Sequence, residues 1–268
     1  SMGVVVTTHI STPPISDTTD PNFPQYLCVL GPWGDRWVQT LAGLARYDLM
    51  GVSLVPDELN WTNAALKRAF ERHQDEGVRK FYADLPNYCN CPVCQERFQQ
   101  WYGEPLPELG PWSRPPAQTD AYRKFVDFRY RATAEWIARG AAAVKAVNPQ
   151  VRADSLICVS PICFDFRLGT GVAWDMMGYG SQIDFPTTDP YIILHNYLGD
   201  STHWYVTETT AHLVGCTPRR QAGVVLEAAR LREEYRALDP VEIYGSALSA
   251  VSRGARELAW WHYVHIMG

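Results

Sequence analysis

No apolar run in the chain approaches the roughly 18 to 20 residues of a membrane span, so a membrane-embedded role is not expected. Nor is there a basic excess. The net charge is -5 and the pI about 5.8, which gives a polyanion no electrostatic foothold and argues against a nucleic-acid partner. The first residues lack the basic and apolar blocks of a secretory signal, so the expected compartment is cytoplasmic. Ser1-Met2-Gly3 reads as an added leader, in which case the native beginning is not seen. There is no Gly-rich phosphate loop, no Gly-x-Ser-x-Gly elbow and no His-Glu-x-x-His pair. Gly169-Thr170-Gly171 is too short a signal to hold a nucleotide. Internal repeats and low-complexity tracts are also missing.

What remains is 268 residues at 46% apolar content, enough for one sizeable core. Ten Trp, fourteen Tyr and nine Phe suit a protein that stacks sugar rings, although each such side chain is also large enough to be core. Strands are expected at Val4 to Ile10, Gly51 to Glu58, Val78 to Leu85, Ala153 to Ser160, Ile183 to Ile193, Trp204 to Thr209 and Leu258 to Ile266. Helices are expected around Trp37 to Ala45, from Thr62 or Asn63 to Gly77, and from about Arg219 to Ala237. Another begins at Gln95 to Trp101. The clearest carries Ala121, Phe125, Phe128, Ala132, Trp136, Ile137, Ala141 and Val144 on one stripe and stops at Asn148-Pro149. Strands alternating with helices imply a parallel sheet with helices outside. Seven strands fall one short of a (β/α)₈ barrel, which typically takes about 250 residues. The expected fold is therefore a TIM-barrel-like single domain over 1–268 that lacks the first strands of a larger barrel.

Two acids end apolar runs read as strands: Glu58 after Gly51 to Asp57, and Glu208 after Trp204 to Thr207. A carboxylate is costly at such a place unless pairing or chemistry keeps it there. Two of them on separate strands suit glycoside hydrolysis, with one acid and one base or nucleophile flanking the sugar bond. The plain alternatives are a helix start at Glu58, where an acid suits the macrodipole, and a buried ion pair for Glu208. Asp57 is read as orienting Glu58 or binding a hydroxyl. Asp84, Asp189 and Tyr191 are further candidates for substrate contact, although Asp189-Pro190 is also a plain turn signal. Trp260 or Trp261 can floor a sugar site, since alternation sends only one of them inward.

Cys89-Asn90-Cys91-Pro92-Val93-Cys94 places three thiols within six residues. That spacing suits a tetrahedral zinc ion with a fourth ligand from elsewhere. Cys28 is the first choice for that ligand, because it lies on the loop before the Glu58 strand; His203 and Cys163 are the others. The competing reading is a set of reduced cysteines or a redox pair. A catalytic zinc is disfavoured, since open sites usually gather His and carboxylate ligands.

The run Cys89-x-Cys91-x-x-Cys94-Gln95 with Phe98, Trp101, Tyr102 and Gly103 resembles the zinc-bearing cysteine cluster of the family 42 glycoside hydrolases. These are retaining β-galactosidases with a TIM-barrel catalytic domain. In them the acid/base Glu ends the fourth strand shortly before the cysteines, and the nucleophile Glu ends the seventh. The resemblance implies Glu58 as acid/base, with Asp57 where Asn is usual and about thirty residues before the cysteines. It implies Glu208 as nucleophile, ahead of Gly254-Ala255 and an aromatic eighth strand. The expectation is thus a retaining β-galactosidase-like enzyme with a carbohydrate substrate, no catalytic cofactor and a structural zinc. Homo-oligomer formation is compatible with it. The competing class is a non-catalytic carbohydrate-binding barrel that keeps the zinc clip; a thiol-metal protein whose working site is the cysteines is a third.

Overall fold

A computed structural model describes residues 28–47, 49–54, 89–108, 119–156, 183–190, 203–217, 221–227 and 238–261. Its elements are α1 (Pro32–Leu44), β1 (Gly51–Ser53), α2 (Pro92–Tyr102), α3 (Asp120–Val147), β2 (Arg152–Leu156), β3 (Phe185–Thr188), α4 (His203–Cys216), β4 (Ala222–Glu227), α5 (Pro240–Ser252) and β5 (Ala255–Trp261). The expected strands at Val4 to Ile10 and Val78 to Leu85, and the helix from Thr62 to Gly77, lie outside the described residues.

The five strands form one sheet in the order β1-β2-β3-β4-β5, and every neighbouring pair is parallel. Each strand thus lies beside its predecessor. A doubly wound sheet reverses order at a switch point; the described strands show no such reversal. The α/β class with a parallel sheet and external helices is as expected.

Local chemistry accounts for most of the elements. Thr119 caps α3 by accepting from the Tyr122 amide at 3.1 Å, and Pro92 opens α2 at a position where its missing N–H costs nothing. The helix stripe of α3 buries Phe125, Phe128, Ala132, Trp136, Ile137 and Val144 against α1 and the sheet. Trp136 donates to the Gly34 carbonyl at 3.1 Å, and Trp37 donates to the Leu54 carbonyl at 2.8 Å. The first bond ties α3 to α1 and the second ties α1 to the end of β1, with the indole N–H groups satisfied inside the core.

Two expectations are overturned. Trp204 to Thr209 is helical, within α4. Its Val and Thr residues favour strands, but Tyr205, Val206, Thr209, Thr210 and Leu213 are buried at helical spacing, and tertiary packing overrides the weak local preference. The Thr210 hydroxyl donates back to the Val206 carbonyl at 2.7 Å, so its burial costs no hydrogen bond. Conversely, the helix expected from Arg219 begins instead with a strand. Ala222-Gly223-Val224-Val225-Leu226 is a short apolar run, as a parallel strand covered on both faces requires. Helix α5 is not among the expected elements, although Asp239-Pro240-Val241-Glu242 forms a full capping box with Pro in the first turn.

Candidate functional site

The two faces of the sheet differ in chemistry. Val224 and Leu226 pack against Tyr205 and Val206 of α4 and Ala250 of α5, while Val52, Leu54 and Ala153 join the core under α1 and α3. Alternation sends Gly51, Arg152, Asp154, Phe185, Thr187, Gly223, Glu227 and Glu257 to the opposite face. The parallel registers agree: Asp154 lies beside Phe185, Thr187 beside Gly223, and Gly223 beside Glu257. Gly223 must lack a side chain here, because a Cβ would sit 2.6 Å from Thr187 Cγ2 and 3.0 Å from the Phe185 ring.

This inner face is strongly curled. Arg152 of β2 reaches Glu257 of β5 at 2.5 Å, although β3 and β4 lie between them. Three strand spacings in a flat sheet would separate those backbones by about 14 Å. The contact therefore requires the sheet to bend toward its own interior, as in barrels.

At the C-terminal ends of the strands, the curled face carries acids. Glu227 is the last residue of β4 and is 4% exposed, and Asp189 follows β3 directly and is 8% exposed. The register Thr188 beside Val224 puts the two acids on neighbouring strands, with the same parity and with Glu227 further toward the C-terminal edge. In β/α barrels this edge is where catalytic side chains gather. Burial of two carboxylates on one wall is the arrangement that acid/base or nucleophilic chemistry uses.

Sequence reasoning did not name Glu227. The signal was there: five apolar or small residues ending in an acid, the same pattern used for Glu58. The strand-end placement of Glu208 is corrected. It lies mid-helix in α4 and is exposed, while its neighbours Tyr205, Val206, Thr209 and Thr210 face the core. Trp260 stands beside Leu226, on the helix-facing side of the sheet, and is 36% exposed. It therefore does not line the curled face, and it is Trp261 that is the register partner of Glu227. Glu58, Asp57, Asp84, Tyr191 and Cys163 lie outside the described residues, as does the side chain of His203.

The second cluster is the four cysteines. Cys28, Cys89, Cys91 and Cys94 are each at most 4% exposed, and their Sγ atoms all lie within 4.8 Å of one another. Cys28 Sγ and Cys94 Sγ are 3.4 Å apart. Four thiolates at about 2.3 Å from a tetrahedral ion have edges of about 3.8 Å, so the cluster has the size of such a shell. Its frame is local. The Gly31 and Gly34 amides both donate to the Cys28 carbonyl at 3.1 Å, turning the chain into α1. Gly34 is obligatory, because a Cβ would meet the Val29 carbonyl oxygen at 2.1 Å. Cys91 is the N-cap residue of α2, and its carbonyl accepts from the Gln95 amide at 3.0 Å. The Gln95 side chain holds the Asn90 carbonyl at 2.7 Å.

Packed together, the thiols split in acidity. Hydrogen bonds from Cys28, Cys89 and Cys94 hold Cys91 far below the usual thiol range. Cys94, facing Cys28, Cys89 and Cys91, is pushed far above it. A divalent cation removes this conflict by taking all four as thiolates. The cluster can hold a metal ion, and four protein ligands leave it no open position.

No protein-family model matches the chain, and no curated protein does. Solved structures do. A cold-adapted β-galactosidase from Rahnella sp. R3 is similar at 15% identity and a TM-score of 0.56, over 87% of this chain and 34% of that one. A β-galactosidase from the psychrophilic Marinomonas ef1 follows at 11% and 0.53, over 86% and 37%. The PgaB glycoside hydrolase domain from Bordetella bronchiseptica is similar at 13% and 0.50, over 66% and 48%. The chain thus spans half or less of each of these three structures. At such identities the likeness establishes the fold: a parallel α/β sheet with outer helices, of the kind on which these glycoside hydrolases are built.

Proposed function

We propose that the chain is part of a glycoside hydrolase catalytic barrel that cleaves a β-linked sugar by double displacement, with Glu227 as the nucleophile. The observation that carries this reading is the pair of buried acids, Asp189 and Glu227, on one wall of a curled parallel sheet at its C-terminal edge. Glu227 ends the strand before β5, as the nucleophile of the family 42 enzymes ends the strand before the eighth. A closed (β/α)₈ barrel is supported by the sequential strand order and by the contact between Arg152 and Glu257.

In this mechanism Glu58 protonates the departing oxygen while a Glu227 carboxylate oxygen attacks the anomeric carbon. The glycosyl ester that forms is then hydrolysed by water, which gives its proton to Glu58. Asp189 accepts a hydrogen bond from a sugar hydroxyl, and Tyr191 and Trp261 supply ring contacts. Retention requires about 5 to 5.5 Å between the two catalytic carboxyl groups, against about 6.5 to 9.5 Å for inversion. Cys28, Cys89, Cys91 and Cys94 would hold a zinc ion as a closed four-thiolate site, which would pin the start of α1 to the start of α2 and leave no open position for chemistry.

The test is hydrolysis of aryl β-glycosides by the parent chain and by Glu227→Gln and Glu208→Gln variants. The Glu227→Gln substitution is expected to abolish turnover, and Glu208→Gln to leave it intact. Azide should restore glycosyl transfer to a Glu227→Gly variant. Full activity of the Glu227→Gln variant contradicts the assignment, and sugar binding without hydrolysis by the parent replaces it with a carbohydrate-binding barrel.

A further inference from the structure

The four clustered cysteines come from two segments of the chain. Cys28 stands just before α1, and Cys89, Cys91 and Cys94 lie at the start of α2. Helix α1 packs along α3, and α2 meets α3 through Phe98 and Trp101 on the Phe128 ring. The sulfurs join the two segments directly. Across that junction, Cys28 Sγ and Cys94 Sγ are 3.4 Å apart, inside the roughly 3.8 Å edge of a tetrahedral four-thiolate shell. A disulfide needs about 2.05 Å between sulfurs, so the pair closes by a movement of about 1.4 Å shared between two side chains. A bridge among Cys89, Cys91 and Cys94 closes a loop of a few residues, whereas one from Cys28 to Cys94 spans 66 positions. The cluster lies one residue below the surface: Asn90 and Pro92, on either side of Cys91, are exposed, which gives a small oxidant its approach.

We infer that the cluster is a redox-sensitive clip with two closed forms: a zinc thiolate site when reduced, and a disulfide between Cys28 and Cys94 when oxidised by a peroxide. Either form ties the entry of α1 to the first turn of α2. Oxidation therefore releases the metal without opening the junction, whereas chelation under reducing conditions releases the metal and opens it. The inference rests on the zinc site proposed above and is independent of the glycosidase reading.

The chemistry balances with one peroxide. The Cys28 thiolate, the more exposed of the pair, attacks one peroxide oxygen; an S–O bond forms as the O–O bond breaks, and hydroxide departs. The Cys94 thiolate then attacks the Cys28 sulfur, the S–S bond forms, and the S–O bond breaks to expel a second hydroxide. The two sulfurs supply the two electrons that reduce the peroxide, and two protons from solvent turn the hydroxides into water. Cys89 and Cys91 alone remain on the metal, too few ligands to complete a structural zinc shell, and the ion leaves hydrated. The long loop closed by the new bond constrains the unfolded chain, which is what keeps the oxidised form stable.

The test treats the zinc-loaded chain with hydrogen peroxide and reads three things: zinc captured by a chromogenic chelator, a non-reducing peptide map, and the melting temperature. Release of about one zinc ion per chain is expected. The map should show Cys28 linked to Cys94, distinct from any bridge to Cys158, Cys163 or Cys216. The oxidised chain should melt within about 4 °C of the zinc-loaded one, against a fall of about 10 °C or more for the chelated, reduced chain. Dithiothreitol with zinc should restore the starting state. In a Cys28→Ser variant, peroxide should form only local bridges and give no such protection. Zinc and thiols that survive excess peroxide overturn the proposal. So does a bridge confined to Cys89, Cys91 and Cys94, with melting at the chelated level. A chain that binds no zinc at the outset overturns the metal site itself and leaves the glycosidase reading untouched.

Discussion

The two ends of the curled face carry opposite kinds of polarity. At the N-terminal end, charges of both signs satisfy one another. Arg152 bonds Asp154 at 2.9 Å and Glu257 at 2.5 Å, and Lys145 meets Asp184 at 2.5 Å. The Arg152 guanidinium lies 4.5 Å from the Phe185 ring centroid. Lys145, Arg152, Asp184, Phe185 and Glu257 line an open pocket of about 670 Å³. At the C-terminal end the named side chains are acids of one sign, Asp189 and Glu227, and both are more deeply buried than Asp154 or Glu257. The same backbone face thus divides its work. One end carries ion pairs that cross the curled sheet, and the other carries two buried acids at the edge where β/α barrels gather their catalytic groups.

That contrast can be broken from either side. The largest effect is expected at the reactive end, where Glu227→Gln should lower kcat by at least about 10³-fold with little change in melting temperature. Next comes the cysteine clip. Cys91→Ser, or exhaustive chelation, should remove several kcal/mol and lower the melting temperature by about 10 °C or more. Activity should follow the loss of fold rather than precede it, which calorimetry and assay on the same samples resolve.

Smaller effects belong to the paired end. Arg152→Met leaves two acids without their cation and should cost about 2 kcal/mol, less than the roughly 3 to 5 kcal/mol of a fully buried pair because its side chain is a quarter exposed. The kcat measured below the melting range should not change. Asp154 has the finest signature. Burial raises its carboxyl from the usual 3.8 to about 6, outweighing Arg152 beside it. The folded state therefore holds this proton more tightly than the unfolded chain does. The associated stability is complete below about pH 3.8 and is lost as the pH rises through about 6. An Asp154→Asn variant lacks that dependence. Its stability relative to the parent should improve by about 2 kcal/mol between pH 4 and 7, as read from denaturant titrations at each pH.

The legibility of these regions in the sequence is uneven, for physical reasons. The cysteine cluster, α1, α3 and the starts of β1, β2 and β3 are readable because their signals are local: thiol spacing, a long 3.6-residue stripe, or apolar runs after a helix stop. Cys28 is identifiable as the fourth member although 61 positions separate it from Cys89. The reactive end misleads at α4 and β4. Val206, Thr207, Thr209 and Thr210 have strand preferences that a helix packed on the sheet overrules. The apolar run ending at Glu227 falls within a helical window because Ala, Leu and Glu are also good helix formers. Once those two elements exchange roles, the acid expected at a strand end moves from Glu208 to Glu227. The capping box at Asp239 would have marked the boundary between β4 and the last helix.

The reactive role of Glu227 is measured most directly by trapping. The parent chain would be incubated with 2-deoxy-2-fluoro β-glycosides bearing an activated leaving group, then digested and mapped by peptide mass spectrometry. A stoichiometric fluoroglycosyl ester on Glu227, coincident with loss of activity, is the predicted result. Label on Glu208 or another acid, or hydrolysis that proceeds with no label at Glu227, would contradict it.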